Sequence, residues 1–402
     1  MRVHTGEYIV TVEGNSIAKS QIVTVKAHQT QSYTIKPTPA SSVEPVSDTA
    51  AQNIIAGSSR AFYLDSGTGH LTRITSANDI QVMNSTIKFQ GIRWADSSFG
   101  LGQDTAGKFY TITNGIVAPL NTSGITSKDD STNYAVAPNK TIYISMGSVL
   151  YQGSSSGGNF KKIYTSKGDP SSILATNTTV AVIVSPDSDG KKTDVGEKPS
   201  IILIDNTGKK LAEDQVGTFV AALAPDGNHV AVADEHGGEL LDNKLKKVGT
   251  IPKPNFSNPL WLDNSTLFYS FNDQLWTYNI TTQAGSLVAN APLGNTIQEL
   301  SLSDDKAYIY MGVNHINNSS NIKRVGLHNQ PVASVLSQLQ SIMPFTGDGY
   351  FMSLVNFTSP VVLITPLPPL TGSTSSYLQT GIGQLQQQGI DTSNIQVTLA
   401  NP

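Results

Sequence analysis

The sequence predicts a mainly β protein whose centre is a closed ring of four-stranded sheets. This is a seven-bladed β-propeller, with six or eight blades as the alternatives. Three observations carry the prediction. Short runs of alternating apolar and polar residues fill most of the chain, and alternation marks half-buried strands. Turn sequences recur near Gly57, Ser97, Ala137, Asn177, Ala224, Asp263 and Ser303, about every 40 residues, which is the length of one four-stranded blade. A single such sheet cannot bury both faces, whereas stacking sheets in a ring does so and leaves only short edges. A pair of β-sandwiches is the competing architecture and would space its turns less regularly.

The chain opens with "GEYIVTVEGNSIAKSQIVTVKAHQTQSYTIKP", Gly6 to Pro37. Tyr8, Val10 and Val12 alternate, as do Val23 with Val25 and Tyr33 with Ile35, and Gly14-Asn15 and His28-Gln29 supply turns. These residues resemble the second half of a PEGA domain. The family's Pro-Glu-Gly-Ala-like box belongs to the first half and has no counterpart here. The resemblance implies a partial module over 1–37, with its remaining strands upstream and a location outside the membrane behind an N-terminal anchor. "KPTPASSVEPVSDTAAQ" follows, and its prolines among small polar residues predict an extended linker over 38–52.

The propeller is expected over 53–329. Its clearest unit is "FVAALAPDGNHVAVADEHGGELLD", Phe219 to Asp242. A strand runs into Ala224-Pro225-Asp226-Gly227, where Pro presets the first turn position and Asp and Gly suit the next ones. A second strand returns, and a third follows another glycine turn. One interval between turns is about seven residues longer, in proportion to the insertion "SPDSDGKKTDVGEKPS" at 185–200. "LAPDGNHVAV" and "LSDDKAYIY" resemble repeats of TolB-like and WD-type propellers, without the WD dipeptide.

The last stretch, 330–402, predicts a small α+β domain. Val335, Leu336 and Leu339 fall at helical spacing in "SVLSQLQSIM". "GYFMSLVNF" and "PVVLITPL" read as strands. Tyr377, Leu378, Ile382 and Leu385 mark one face of a helix that Gly389 would cap, and "NIQVTL" closes the chain as a strand. "TGDGY" at 346–350 also fits the blade register, which keeps an eighth, modified blade as the alternative.

Composition excludes several function classes. Of the 402 residues, 38 % are hydrophobic and 14 % charged, with a formal net charge of −4. That suffices for packed cores, and the absence of a basic stripe argues against a nucleic-acid partner. With 0 cysteines there is no disulfide, thiolate metal site or Cys nucleophile. No apolar run of about 18 residues spans a bilayer, so any membrane link is expected through a segment outside this sequence.

Candidate catalytic motifs dissolve on inspection. Gly153 to Gly157 fits G-x-S-x-G, but the hydrolase elbow needs a strand before its Ser and a helix after it, and here "GSSSGGN" is a turn between strands. The 7 histidines are scattered without metal-ligand spacing. Glu235-His236 beside Asp234 sits in a turn. "LPPLTG" at 367–372 lacks the apolar and basic tail of a sorting signal. The three tryptophans, Trp94, Trp261 and Trp276, fall in strands and read as packing between blades.

The insertion gathers Asp187, Asp189, Lys191, Lys192 and Asp194 in one loop. Clustered carboxylates are what calcium takes, but the lysines and the missing distal Glu favour a solvated hairpin tip over a Ca²⁺ site, and no other cofactor is indicated. The strands are committed to the ring, so freedom to vary lies in the connections, where function tends to sit. The sequence therefore points to a non-enzymatic surface or envelope protein, extracytoplasmic, whose propeller binds a protein or glycan through this loop. The alternative is a propeller hydrolase or lyase with its site at the central channel.

Overall fold

The computed structural model describes residues 6–14, 17–25, 41, 43–48, 50–57, 60–76, 79–127, 131–184, 199–216, 220–234, 237–253, 256–291, 295–315, 320–327, 339, 343–347, 350–356, 361–367, 374–387 and 396–400. The chain divides into two compact units. One comprises Met1–Pro37 with Ser42–Val325, and the other Thr38–Ser41 with Gly326–Pro402.

The first unit is a seven-bladed β-propeller. Six blades take four consecutive strands each, in chain order: blade 1 at 51–82, blade 2 at 89–119, blade 3 at 132–165, blade 4 at 170–215, blade 5 at 221–251 and blade 6 at 257–290. Blade 7 takes three strands from 295–326. The first strand of each blade lies against the first strands of its two neighbours, and that of blade 7 against that of blade 1, so the ring is closed around these seven strands.

Cores lie between blades. Thr179–Val184, "TVAVIV", is buried along its whole length. Val180, Val182 and Val184 pack with Ala135, Tyr143 and Leu150 of blade 3. The alternate residues Ala181 and Ile183 pack with Val230, Val232 and Leu241 of blade 5. A period of two therefore feeds two different cores, which is why the strand is a continuous apolar run. Each buried Val, Leu or Ile among them contributes roughly 1.5–3 kcal/mol, and blades 1 with 2, 2 with 3, and 7 with 1 share cores in the same manner.

Ring closure lies in the stretch read as linker. Glu44–Ser47 is a strand and forms the outer edge of blade 7, with Glu44 opposite Arg324, Pro45 opposite Lys323 and Ser47 opposite Ile322. Arg324 Nε donates to Glu44 at 2.8 Å, and the guanidinium stands 4.5 Å from the Tyr308 ring centre. An edge strand needs its main-chain donors on one side only, so Pro45 is tolerated there. The first strand of blade 1, Ala51–Ala56, also begins inside the supposed linker.

The two N-terminal strands Gly6–Gly14 and Ile17–Val25 form a hairpin, and the second of them adds to the outer strand of blade 6, Ala284–Asn290. Among the described residues they make no separate sandwich; they enlarge blade 6 to six strands. The third strand expected around Tyr33 falls outside the described residues.

In the second unit, Phe345–Gly347, Tyr350–Asn356 and Val361–Pro366 form an antiparallel sheet, and Gln396–Leu399 joins Val361–Pro366 in parallel. The helix α1, Thr374–Gln387, makes the crossover that a parallel pair requires. Tyr377 and Leu385 of α1 pack on Met352, Val362 and Ile364. The parallel pair and the helix distinguish this sheet from an eighth blade. The helix expected over 334–343 lies largely outside the described residues; Leu339, within it, is buried in the same core. Among the described residues no helix is long and apolar enough to cross a membrane.

Candidate functional site

The turn between first and second strands is built alike around the ring. Its first residue is Gly57, Ser97, Ala137, Thr176, Ala224, Leu262 or Ser303, and in six of these its N–H closes the turn onto a carbonyl three to five residues on. Four positions before these residues stand Asn53, Arg93, Asn133, Ser172, Val220, Asn258 and Glu299. Six of the seven are polar, which puts a polar belt on the strands that line the channel.

The belt ties blades together. Asn53 Oδ1 accepts the Ile92 N–H of blade 2 at 2.8 Å. Asn133 Nδ2 donates to Pro170 O of blade 4 at 2.6 Å, and Asn258 Nδ2 to Ile297 O of blade 7 at 3.0 Å. Glu299 of blade 7 accepts the N–H groups of Asn53 at 2.6 Å and Ile54 at 2.9 Å. Ladder register breaks near these positions in blades 1, 6 and 7. Such bulges free main-chain groups and re-aim side chains; Asn53 and Asn258 take φ values of 53° and 51°, a conformation that Asn adopts more readily than most residues.

Beside this belt lies a cavity of about 700 Å³, within the range of ligand pockets. Its walls come from the first strands of blades 1, 2, 6 and 7 and from their turns. Ile54, Ile92, Trp94, Leu260 and Leu302 supply apolar surface, while Arg93, Asp96, Glu299, Asp304 and Lys306 bring both signs of charge. Trp94 is half-buried, stacks 5.9 Å from Phe62, and donates its indole N–H to Asn53 O at 2.7 Å. Burial pushes the Glu299 carboxyl up to about 7, against the opposing pull of its two N–H donors and of Arg93. Arg93 is exposed in the channel, 5.9 Å from the Tyr134 ring centre, and pairs with no carboxylate across a salt-bridge distance among the described residues.

At the turn end the cavity has a tied rim. Asp304 of blade 7 accepts both the N–H and the hydroxyl of Ser97 in blade 2, reaching past blade 1 where Gly57 has no side chain. Lys306 Nζ donates to Leu262 O at 2.8 Å, Lys140 Nζ to Ser98 Oγ at 3.2 Å, and the Asn139 and Asp226 N–H groups to Asn177 and Asn264 side chains. These bonds hold neighbouring turns in fixed relation, so the rim is preorganised.

Asp187, Asp189, Lys191, Lys192 and Asp194 are outside the described residues. The strands that flank them, Thr179–Val184 and Ser200–Asp205, pair in antiparallel. Glu235 and His236 are also outside the described residues. Gly153–Gly157 is a turn with Ser154 and Ser156 hydroxyls 2.7 Å apart, as a loop reading requires. Trp261 and Trp276 are buried, Trp261 donating to Ala222 O of blade 5; Trp94 alone of the three lines the cavity. No group of three or more metal-ligating side chains forms among the described residues. Sequence reasoning missed Arg93 and Glu299. The signal was the register of the repeat: Asn53, Arg93 and Asn133 recur every 40 residues, at one fixed offset from each turn.

No family model matches the sequence, and no curated protein does. A solved structure matches in fold. YCF48 bound to D1 peptide superposes with a TM-score of 0.52 at 9 % identity, over 72 % of this chain and 99 % of that one. A computationally designed protein, Ika8, gives a TM-score of 0.47 at 11 % identity, over 71 % of this chain and 100 % of that one. The fold is a β-propeller. At these identities the likeness extends to the fold alone. The PEGA resemblance of the N-terminal strands finds no support in these comparisons, and neither does a TolB or WD subfamily.

Proposed function

We propose that the protein is a binding propeller that takes a segment of another protein into the mouth of its central channel. One observation carries this reading: the cavity of about 700 Å³ combines apolar walls from Ile54, Ile92, Trp94 and Leu260 with convergent charges from Arg93, Glu299, Asp304 and Lys306. Mixed apolar and charged side chains suit a peptide, whose apolar residue fills the pocket while its polar neighbours meet the rim. The structure of YCF48 with a peptide is a precedent on the same fold. A glycan partner, engagement through the 185–200 loop in place of the channel and an extracytoplasmic surface location are separate proposals that rest on the sequence alone.

The test is selection from a displayed peptide library, followed by titration of the selected peptides against two variants. Leu260→Trp fills the cavity and Arg93→Ala removes its unpaired cation. Affinity should fall at least tenfold in each. Selected peptides that bind both variants like the unaltered protein would move the site away from the channel.

One observation favours a second reading, a hydrolase or lyase. A carboxyl with a pKa near 7 in a cavity is what a general acid or base needs. Against it, each Glu299 oxygen is already held by a main-chain N–H of blade 1, a structural use that explains the residue without catalysis. Turnover of a glycan or peptide panel that is lost in Glu299→Gln would establish the enzyme.

A further inference from the structure

Among the described residues, Gly6–Gly14 is the outermost strand of the blade 6 sheet. Gly6–Gly14 pairs with Ile17–Val25 through nine consecutive residue pairs, and no other described strand pairs with its outer side. The hairpin itself touches the blade through a ladder of three pairs, Lys19 with Ser286, Ser20 with Gly285 and Gln21 with Ala284. Its outer strand is therefore long, regular and presented beyond the ring. Proteins usually blunt such an edge with charged residues (Lys above all), Pro, a bulge or a very short strand. "GEYIVTVEG" contains no Lys, Arg or Pro, its register runs without a shift, and its charges are confined to Glu7 and Glu13 near its two ends. Val10 at its centre is 39 % exposed.

We propose that the outer edge of Gly6–Gly14 is a strand-addition site for an extended segment of another protein, β-prone at its centre and basic at both ends. The main chain supplies the ladder, as in other β-augmentation complexes. Charge selects the partner. The only charged residues of this strand are Glu7 and Glu13, six positions apart, so an antiparallel partner with Lys or Arg six positions apart sets a cation opposite each carboxylate. The same spacing disfavours a second copy. Self-pairing that uses all nine residues is centred on Val10 and sets Glu7 opposite Glu13 twice, and like charges directly opposite are destabilising. This surface is separate from the channel and stands or falls independently of the function proposed for it.

The test uses the full chain and three synthetic peptides in fluorescence anisotropy: KTVTVTK, ETVTVTE, and KTVTVTK N-methylated at alternate amides. The unaltered protein should bind KTVTVTK about tenfold more tightly than ETVTVTE, since two cross-strand pairs change from opposite to like charge. N-methylation should abolish binding, because it removes ladder donors. Glu7→Lys with Glu13→Lys should invert the preference, and Val10→Lys should weaken binding of both peptides. Equal affinity for the two charged peptides, a preference that survives the double reversal, or no binding at all would overturn the proposal. So would concentration-dependent dimerisation of the unaltered protein that Val10→Lys abolishes, which would make the occupant a second copy.

Discussion

Gly57→Ala tests whether the tied rim is built around a missing side chain. Gly57 is buried, and a methyl group there would stand 2.7 Å from Ser97 Oγ and 3.3 Å from Ser97 Cβ. Carbon contacts prefer about 3.5–4.0 Å, so Ser97 must move. Overpacking of this kind costs about 1–3 kcal/mol. Ser97 cannot move and keep its hydroxyl on Asp304, and losing a hydrogen bond to an exposed carboxylate adds about 1 kcal/mol. Gly57 is not in the left-handed region, so alanine recovers about 0.4–1 kcal/mol by restricting the unfolded chain. The net expectation is a destabilisation of about 2 kcal/mol, read by urea unfolding with tryptophan fluorescence. Ser97→Gly removes the obstructing atoms, so the double variant should be more stable than the sum of the single changes predicts, by about 1–2 kcal/mol. Strict additivity, or a Gly57→Ala protein within 0.5 kcal/mol of the parent, a margin typical of neutral surface changes, would refute the account of the rim.

Three further outcomes are expected. Burial raises the Glu299 pKa from 4.5 to about 7, so the folded state holds a proton that the unfolded chain has released. Stability from this group is therefore complete below about pH 4.5 and falls by about 3 kcal/mol as pH rises through 7; Glu299→Gln should flatten that slope in urea titrations at pH 4.5, 6 and 8. Deleting residues 1–25 strips the hairpin from blade 6 but leaves the ring closed, whereas deleting 1–48 also removes the closing strand Glu44–Ser47; calorimetry should show a much larger loss of melting temperature for the second, and equal losses would contradict closure by that strand. In the second unit, the Cβ of Gly381→Ala would collide with Ile364 Cδ1, so this variant should destabilise that unit by about 1–3 kcal/mol, with Ile364→Val restoring part of the loss.

The sequence by itself determined the repeat and therefore the ring. The turns read near Gly57, Ser97, Ala137, Ala224 and Ser303 are the turns after the first strands of their blades. They were legible because a turn is a local event, set by the φ and ψ preferences of a few adjacent residues. The helix at 374–387 and its buried face were legible for the same reason, since Tyr377 and Leu385 repeat within one element. The polar belt was written in the same register, at a fixed offset from each turn, although no single blade betrays it.

Tertiary structure decided what depends on distant partners. Glu44–Ser47 is too short to display a period, contains a proline, and meets Arg324 from 280 residues away. Nothing local separates it from a linker. The hairpin's place on blade 6 and the bond from Ser97 to Asp304, 207 residues apart, are likewise products of closing the ring. The same holds for the chemistry of the channel. Asn53, Arg93 and Glu299 are ordinary polar residues in the chain, and only the convergence of four blades desolvates the Glu299 carboxyl and leaves Arg93 beside it. Local geometry is encoded in neighbouring residues, whereas burial and electrostatic environment belong to the assembled fold.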